Sequence, residues 1–227
     1  MKANTNPFHQ QALSILKKII SIIFFLLVFY VLPLINQLQL LLNWQVIFLA
    51  ALCTILYATQ PRVSLTESKK KKATDRNTML LITIVSGIGQ IISIIEWAYF
   101  RQTKISLSYW TIAGGLLLLS GTIFRLYAIH TLGKYFTATV QIRHEHKIIA
   151  TGPYRFLRHP SYTGAFIAML GSALFLQSMS GILIFGIGML YVYYLRINTE
   201  EQTLLQNFGE SYTKYSRHTW RMFPWVW

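Results

Sequence analysis

Acidic residues are scarce in this 227-residue chain, with seven Asp and Glu against twenty-one Lys and Arg and a formal net charge of +14. Charge of any sign is scarce too, at 12% of residues, about half the level of a soluble globular domain. That shortage excludes an ordinary soluble domain. The single cysteine, Cys53, excludes an intrachain disulfide framework and a cysteine-rich zinc site. A third absence is the glycine-rich nucleotide fingerprint. Gly87-Ile88-Gly89 and Gly186-Ile187-Gly188 lie inside apolar runs and lack the third glycine, so they read as helix-packing positions. Nucleic acid is not implied either, because the cations fall between long uncharged stretches instead of covering a basic domain.

What is abundant is apolar sequence: 53% of residues are hydrophobic and the mean hydropathy is +0.42. No charge occurs over the 43 positions from Ile19 to Pro61, room for two spans of about 20 residues each. Further uncharged runs separate Arg76 from Glu96 and Lys104 from Arg125, and the fourth covers the 36 positions from Pro160 to Leu195. These runs predict an all-α integral membrane bundle with six transmembrane helices, near 17–36, 42–59, 78–99, 107–129, 161–177 and 181–196. Lys17 and Lys18 precede the first span as in a signal peptide, but no small-residue cleavage site follows, so the span reads as a retained anchor.

With both termini on one side, that side carries 18 of the 21 cations, the other holds only Arg101 and Lys104, and Arg125 sits near a helix end. By the positive-inside rule both termini are expected in the cytoplasm. That means the cytoplasmic membrane of a bacterium or the endoplasmic reticulum of a eukaryote. The run Lys69-Lys70-Lys71-Lys72 reads first as a determinant of this topology, with docking to anionic lipid as the second reading.

The longest segments outside the predicted spans are 131–160 and 197–227, both on the cytoplasmic side. Any active site is therefore expected to form from these segments against the cytoplasmic helix ends. The first runs from Gln141 through His144-Glu145-His146-Lys147-Ile148-Ile149 to Gly152-Pro153-Tyr154-Arg155-Phe156-Leu157-Arg158-His159-Pro160-Ser161-Tyr162-Thr163-Gly164. Pro160 suits a helical first turn, whose free N–H groups can receive an anion. In the second, Arg196 and Glu200 are four residues apart and share a helix face, and Glu200-Glu201 is the only adjacent acidic pair. Arg196 and Glu200 read alternatively as an ion pair closing the last span. Arg125, at a span end, reads by default as snorkelling to the interface. The aromatic tail from Trp220 to Trp227 reads as an interfacial anchor, with capping of a substrate groove as a second role.

The ordered set of Gly152-Pro153-Tyr154 through Arg158-His159-Pro160-Ser161-Tyr162, then Arg196-x-x-x-Glu200-Glu201, then Phe208-Gly209-x-x-Tyr212-x-x-Tyr215 resembles the isoprenylcysteine carboxyl methyltransferase family. Phospholipid methyltransferases share parts of it, and the resemblance covers roughly residues 120–224. It implies a membrane enzyme that moves a methyl group from S-adenosylmethionine to a lipid-like or prenylated acceptor, with membrane lipids around it and no metal or nucleic acid partner. It also implies a division into 1–104, carrying three helices and the basic loop, and 105–227, the methyltransferase core. By position, cofactor contacts are expected from Gln141, His146, Lys147, Ile148, Ile149, Tyr154, His159, Pro160, Ser161 and Tyr162, and the substrate end of the site from Arg196 and Glu200, while Arg125 also matches an Arg that the family carries before the Leu132-Gly133 turn.

Residue chemistry is consistent with that assignment. Tyrosine faces favour a sulfonium or ammonium cation, and a guanidinium suits an acceptor carboxylate. An amine acceptor, as in phospholipid N-methylation, would make Glu200 the primary contact instead. His144 and His146 lack a third ligand for a metal. Two further alternatives stand at this point. The ending Phe208-Gly209 to Phe223-Pro224 also resembles NADPH-dependent sterol reductases, and a non-catalytic lipid-binding protein would share the composition.

Overall fold

The computed structural model describes residues 7–60, 73–101, 107–136 and 148–227. Among them the backbone is helical apart from turns and one isolated parallel bridge between Leu157 and Trp220. The chain separates into two compact units, residues 1–59 and 60–227.

The first unit pairs α1 (Pro7–Leu26), prolonged by a wide π turn at Leu27–Val31, with α2 (Trp44–Ala58). Asn43 starts α2 by accepting the Gln45 N–H at 2.9 Å, the usual role of a short polar side chain at a helix start. Phe25 and Tyr57 stack at 4.5 Å between the two helices, and Leu34, Val46 and Leu49 are buried nearby.

The second unit contains α3 (Ala73–Ile95), continued by a π turn at Glu96–Phe100, then α4 (Tyr109–Leu132) and α5 (Pro160–Phe175). After these, α6 (Met179–Leu183), a π turn at Ile184–Met189 and α7 (Leu190–Phe208) follow one another as a continuous helix, and α8 (Glu210–Ser216) ends the series. Among the described residues three helices are long and apolar enough to cross a membrane by length and composition: Asn77–Phe100, Tyr109–Tyr135 and Met179–Phe208. Trp44–Ala58 is a shorter apolar helix. The chain is a multi-pass membrane protein. Helices lie at each of the six expected places, but the length criterion supports three spans among the described residues.

The last span is expected to end near 196, and the helix that carries it runs on to Phe208, which puts Arg196 and Glu200 on one face. At 1.5 Å per residue its 30 residues reach about 45 Å, beyond the ~30 Å of hydrocarbon in a bilayer. The helix is thus longer than the apolar layer is thick, and its polar part, from Arg196 onward, carries Arg196, Glu200 and Glu201.

Close backbone approach fixes α4 against α5. A Cβ added to Gly121 would stand 2.5 Å from the Ala168 nitrogen, and one on Gly164 would stand 2.6 Å from the Arg125 nitrogen. Gly114 and Gly171 repeat the pattern seven residues away on each helix. Such small-residue seams let helices meet without side chains between them. Gly89, expected as a packing position, faces the ring of Phe185.

The turn between α5 and α6 falls where the sequence placed it. Gln177 adopts a left-handed backbone (φ 52°), and the Ser178 N–H returns to the Ala173 carbonyl at 2.8 Å. Glu96 then accepts the N–H groups of Met179 and Ser180 at 3.1 and 3.0 Å and the Ser178 hydroxyl at 2.7 Å. One carboxylate thus satisfies free donors at a helix start. At the opposite end of the helix the site is assembled.

Candidate active site

Arg196 is 2% exposed on the last helix. Its Nε donates to Glu200 Oε1 at 2.7 Å, one turn further on, and lies 3.3 Å from the Tyr162 hydroxyl. Tyr162 in turn donates to the same Glu200 oxygen at 2.6 Å, and a guanidinium nitrogen of Arg196 reaches Thr78 Oγ1 at 3.3 Å. Three helices, α3, α5 and α7, therefore hold one guanidinium. This is more than an ion pair closing a helix, since the partners come from residues 118 and 34 positions away.

Pro160 occupies the first turn of α5, with His159 as the residue before it. The N–H groups of Tyr162 and Thr163 both return to the His159 carbonyl, at 3.0 and 3.2 Å. The His159 ring faces both acids: Nδ1 is 3.5 Å from Glu200 Oε2 and Nε2 is 3.3 Å from Glu201 Oε1. His159 also stacks on Tyr162 at 5.8 Å, and Tyr162 stacks on Tyr193 at 4.9 Å. A column of three rings thus stands beside the two carboxylates.

Glu201 joins three parts of the chain. Oε1 accepts from Arg158 Nε at 2.6 Å, and Oε2 accepts from Arg221 Nε at 2.9 Å. Arg158 also donates to the carbonyls of Ser216, at 2.9 Å, and Thr219. The backbone makes the same connection: Arg158 N–H to Trp220 O at 2.7 Å, His159 N–H to Arg221 O at 3.0 Å, and Trp220 N–H to Phe156 O at 3.0 Å. Met222, just beyond, is fully buried with Phe166, Phe185, Met189, Tyr193 and Ile197, and its carbonyl accepts the Thr163 hydroxyl at 2.9 Å. Residues 219–223 are thus a packed structural part of the site's wall, a larger role than surface anchoring.

Tyr154 is buried in the short 3-10 turn Gly152–Arg155. Burial, the neighbouring Tyr215 and the charge of Glu200 all push its pKa above the ordinary phenol range, so the hydroxyl stays protonated and able to donate. Ile148 and Ile149 are half-buried and precede that turn. Gln141, His146 and Lys147, together with His144, lie outside the described residues.

Arg125 corrects the sequence reading. It does not snorkel: it is 3% exposed, and a terminal nitrogen donates to the Ser161 carbonyl at 3.0 Å. Sequence reasoning named Arg196, Glu200, Tyr154, His159 and Tyr162, which the fold brings into one region. It did not assign Glu201, Arg158, Arg221, Thr78 or Tyr193. The Glu200-Glu201 dipeptide was a signal for the first of these. The arginines gave none, because their shared partner is 43 and 20 residues away.

Comparison with known proteins points one way. Residues 114–206 match the model of the isoprenylcysteine carboxyl methyltransferase (ICMT) family. A Dictyostelium discoideum protein-S-isoprenylcysteine O-methyltransferase is 30% identical over 184 residues, 78% of this chain and 76% of that protein. Arabidopsis thaliana protein-S-isoprenylcysteine O-methyltransferase B is 32% identical over 155 residues, 65% of this chain and 77% of its own. Among solved structures, the eukaryotic intramembrane Ras methyltransferase ICMT superimposes with a TM-score of 0.63 at 22% identity, covering 98% of this chain and 88% of that one. That likeness is one of fold. The reductase and lipid-binding alternatives gain nothing from these relatives, and the chain belongs to the isoprenylcysteine carboxyl methyltransferase family.

Proposed function

We propose that this protein is a membrane methyltransferase that converts the carboxylate of an isoprenylcysteine-type acceptor into its methyl ester, with S-adenosylmethionine as donor. The observation that carries this reading is the buried Arg196, held by Glu200 and Tyr162 within the Arg-x-x-x-Glu-Glu motif of the family.

A carboxylate acceptor is already ionised near neutral pH, so the site needs no general base. What it must supply is orientation, and a guanidinium fork suits a carboxylate for this. We assign that role to Arg196. Glu200 fixes the guanidinium through Nε, and Thr78 meets it from α3.

When bound, S-adenosylmethionine supplies an electrophilic methyl group on a sulfonium. The chain offers groups that fit such a ligand: the ring column of His159, Tyr162 and Tyr193, the carboxylates beside it, and an unpartnered buried nitrogen on Arg125. Following the family pattern, we assign donor binding to Gln141, the 146–149 stretch, Tyr154 and residues 159–162. All but Thr78 of the assigned residues lie in 105–227. The low exposure of Arg196, His159 and Ser161 supports a site from which bulk water is excluded.

A prenylated acceptor partitions into the bilayer, so lateral entry between helices is the favoured route. The excess of cations on one side supports cytoplasmic termini and a cytoplasmic site.

The test is incubation of purified protein in lipid nanodiscs with methyl-labelled S-adenosylmethionine and a prenylcysteine acceptor. The expected product is a label released by mild base, as an ester is and a methylated amine is not. Arg196→Gln is expected to lower turnover about 100-fold, the scale of a lost orienting contact, while donor binding by calorimetry is retained. Base-stable label, or no transfer from a protein that binds the donor, would overturn the reading.

A further inference from the structure

Thr78 lies in the second turn of α3 and is 4% exposed, and its Oγ1 accepts from a terminal nitrogen of Arg196 at 3.3 Å. The helix that carries it precedes residues 114–206, the stretch that matches the family model.

The position belongs to a stripe. Thr78, Ile82, Val85 and Gly89 recur at helical spacing on one face of α3. Ile82 and Val85 pack on the buried cluster that holds Met189, Tyr193 and Ile197, and Gly89 faces the Phe185 ring. The stripe is thus turned toward the helix that runs from Met179 to Phe208, and Thr78 supplies the one hydroxyl among the four. Packing alone would accept a valine there. What the hydroxyl adds is an oxygen able to accept from a guanidinium, which has donors only.

Glu200 and Tyr162 both meet Arg196 at Nε. Contacts on a single nitrogen leave the plane of a guanidinium able to tilt about that point. A contact on a terminal nitrogen removes the tilt, and Thr78 makes one from a different helix.

We propose that Thr78 is a positioning residue for methyl transfer, setting the plane of the Arg196 guanidinium and through it the direction of the acceptor carboxylate. With Nε committed to Glu200, a carboxylate meets Arg196 across its two terminal nitrogens. The tilt of that edge then decides whether the attacking oxygen lines up with the donor methyl. The inference rests on the acceptor role given to Arg196 above, and it makes α3 part of the catalytic geometry.

The test is steady-state kinetics of the nanodisc protein with an N-acetyl prenylcysteine acceptor, alongside calorimetry of donor binding to count intact sites. Thr78→Val is expected to lower kcat about 10-fold, the low end for a lost hydrogen bond to a charged group, with a much smaller change in acceptor KM and none in donor affinity. Thr78→Ser keeps the oxygen and is expected to retain most of the turnover. In an Arg196→Gln background Thr78→Val is expected to add no further loss, because the residue acts through the guanidinium.

Wild-type turnover in Thr78→Val, a Thr78→Ser variant as slow as Thr78→Val, or a full additional loss in the double variant would each overturn the proposal. Should Thr78→Val not fold, Thr78→Cys takes its place, since sulfur is a weak acceptor; equal turnover in the serine and cysteine variants then overturns it. Failure of the functional reading looks different, as wild-type protein that binds the donor yet transfers no label.

Discussion

Tyr215 donates its hydroxyl to the Tyr154 carbonyl at 2.8 Å, pinning the turn that carries Tyr154 to α8. Burial, opposed in part by Arg158, pushes its pKa from 10.0 up to about 12. Because the folded value is the higher one, the neutral phenol stabilises the fold below pH 10, and that contribution fades as pH rises through about 12. The thermal midpoint of the solubilised protein is therefore expected to fall over that interval. Tyr215→Phe should cost about 1 kcal/mol at neutral pH, as for one lost hydrogen bond, and should flatten part of the alkaline decline. An unchanged alkaline slope would show that the phenol does not contribute. Residues of this kind were only half legible in the sequence. Tyr215 stood in a recognisable pattern, but its partner is a backbone carbonyl 61 positions away, and nothing local announces it.

At the scale of elements, the seam between α4 and α5 is the fixed part of the second unit. Gly121 and Gly164 leave no room for a methyl group against backbone atoms, which cannot turn aside as a side chain can. Gly121→Val or Gly164→Val is expected to destabilise by about 3 kcal/mol or more, at the upper end for overpacking. Gly186→Ala should be near neutral, because its nearest neighbour would be a leucine methyl 3.9 Å away. Thermal unfolding of the three variants in one detergent checks the contrast, and equal loss in all three would refute it. Helix positions were legible because a charge-free run is what a bilayer demands. The seam was not, since Gly114, Gly121, Gly164 and Gly171 are scattered among leucines and aromatics, and only the paired helices reveal their common face. The end of the last helix is hard to read in the sequence for a related reason. Arg196 closes the apolar run, but Asn198 to Phe208 continue in helix with no bilayer to mark them.

At the scale of the whole molecule, the site wall is shared between residues 156–163, the end of the last helix and residues 219–223. Removing residues 219–227 would expose the core face now covered by Met222 and leave Glu201 without Arg221. The expected result is loss of both donor binding and thermal stability. Trp225→Ala, at a position 87% exposed, should leave donor binding unchanged. Donor binding that survives the deletion would mean that the segment is dispensable to the site.

The pairing of Arg158 with Trp220 also has a consequence in time. Ribosomes add about 5–20 residues per second, so Arg158 and His159 are made several seconds before the strand-like segment that will hold them. During that wait the intervening helix must enter the bilayer. Any protein that helps the nascent chain then meets a finished set of helices with an unfinished catalytic face. The methyltransferase becomes competent only after residues 219–223 have been made, however early its membrane helices are in place.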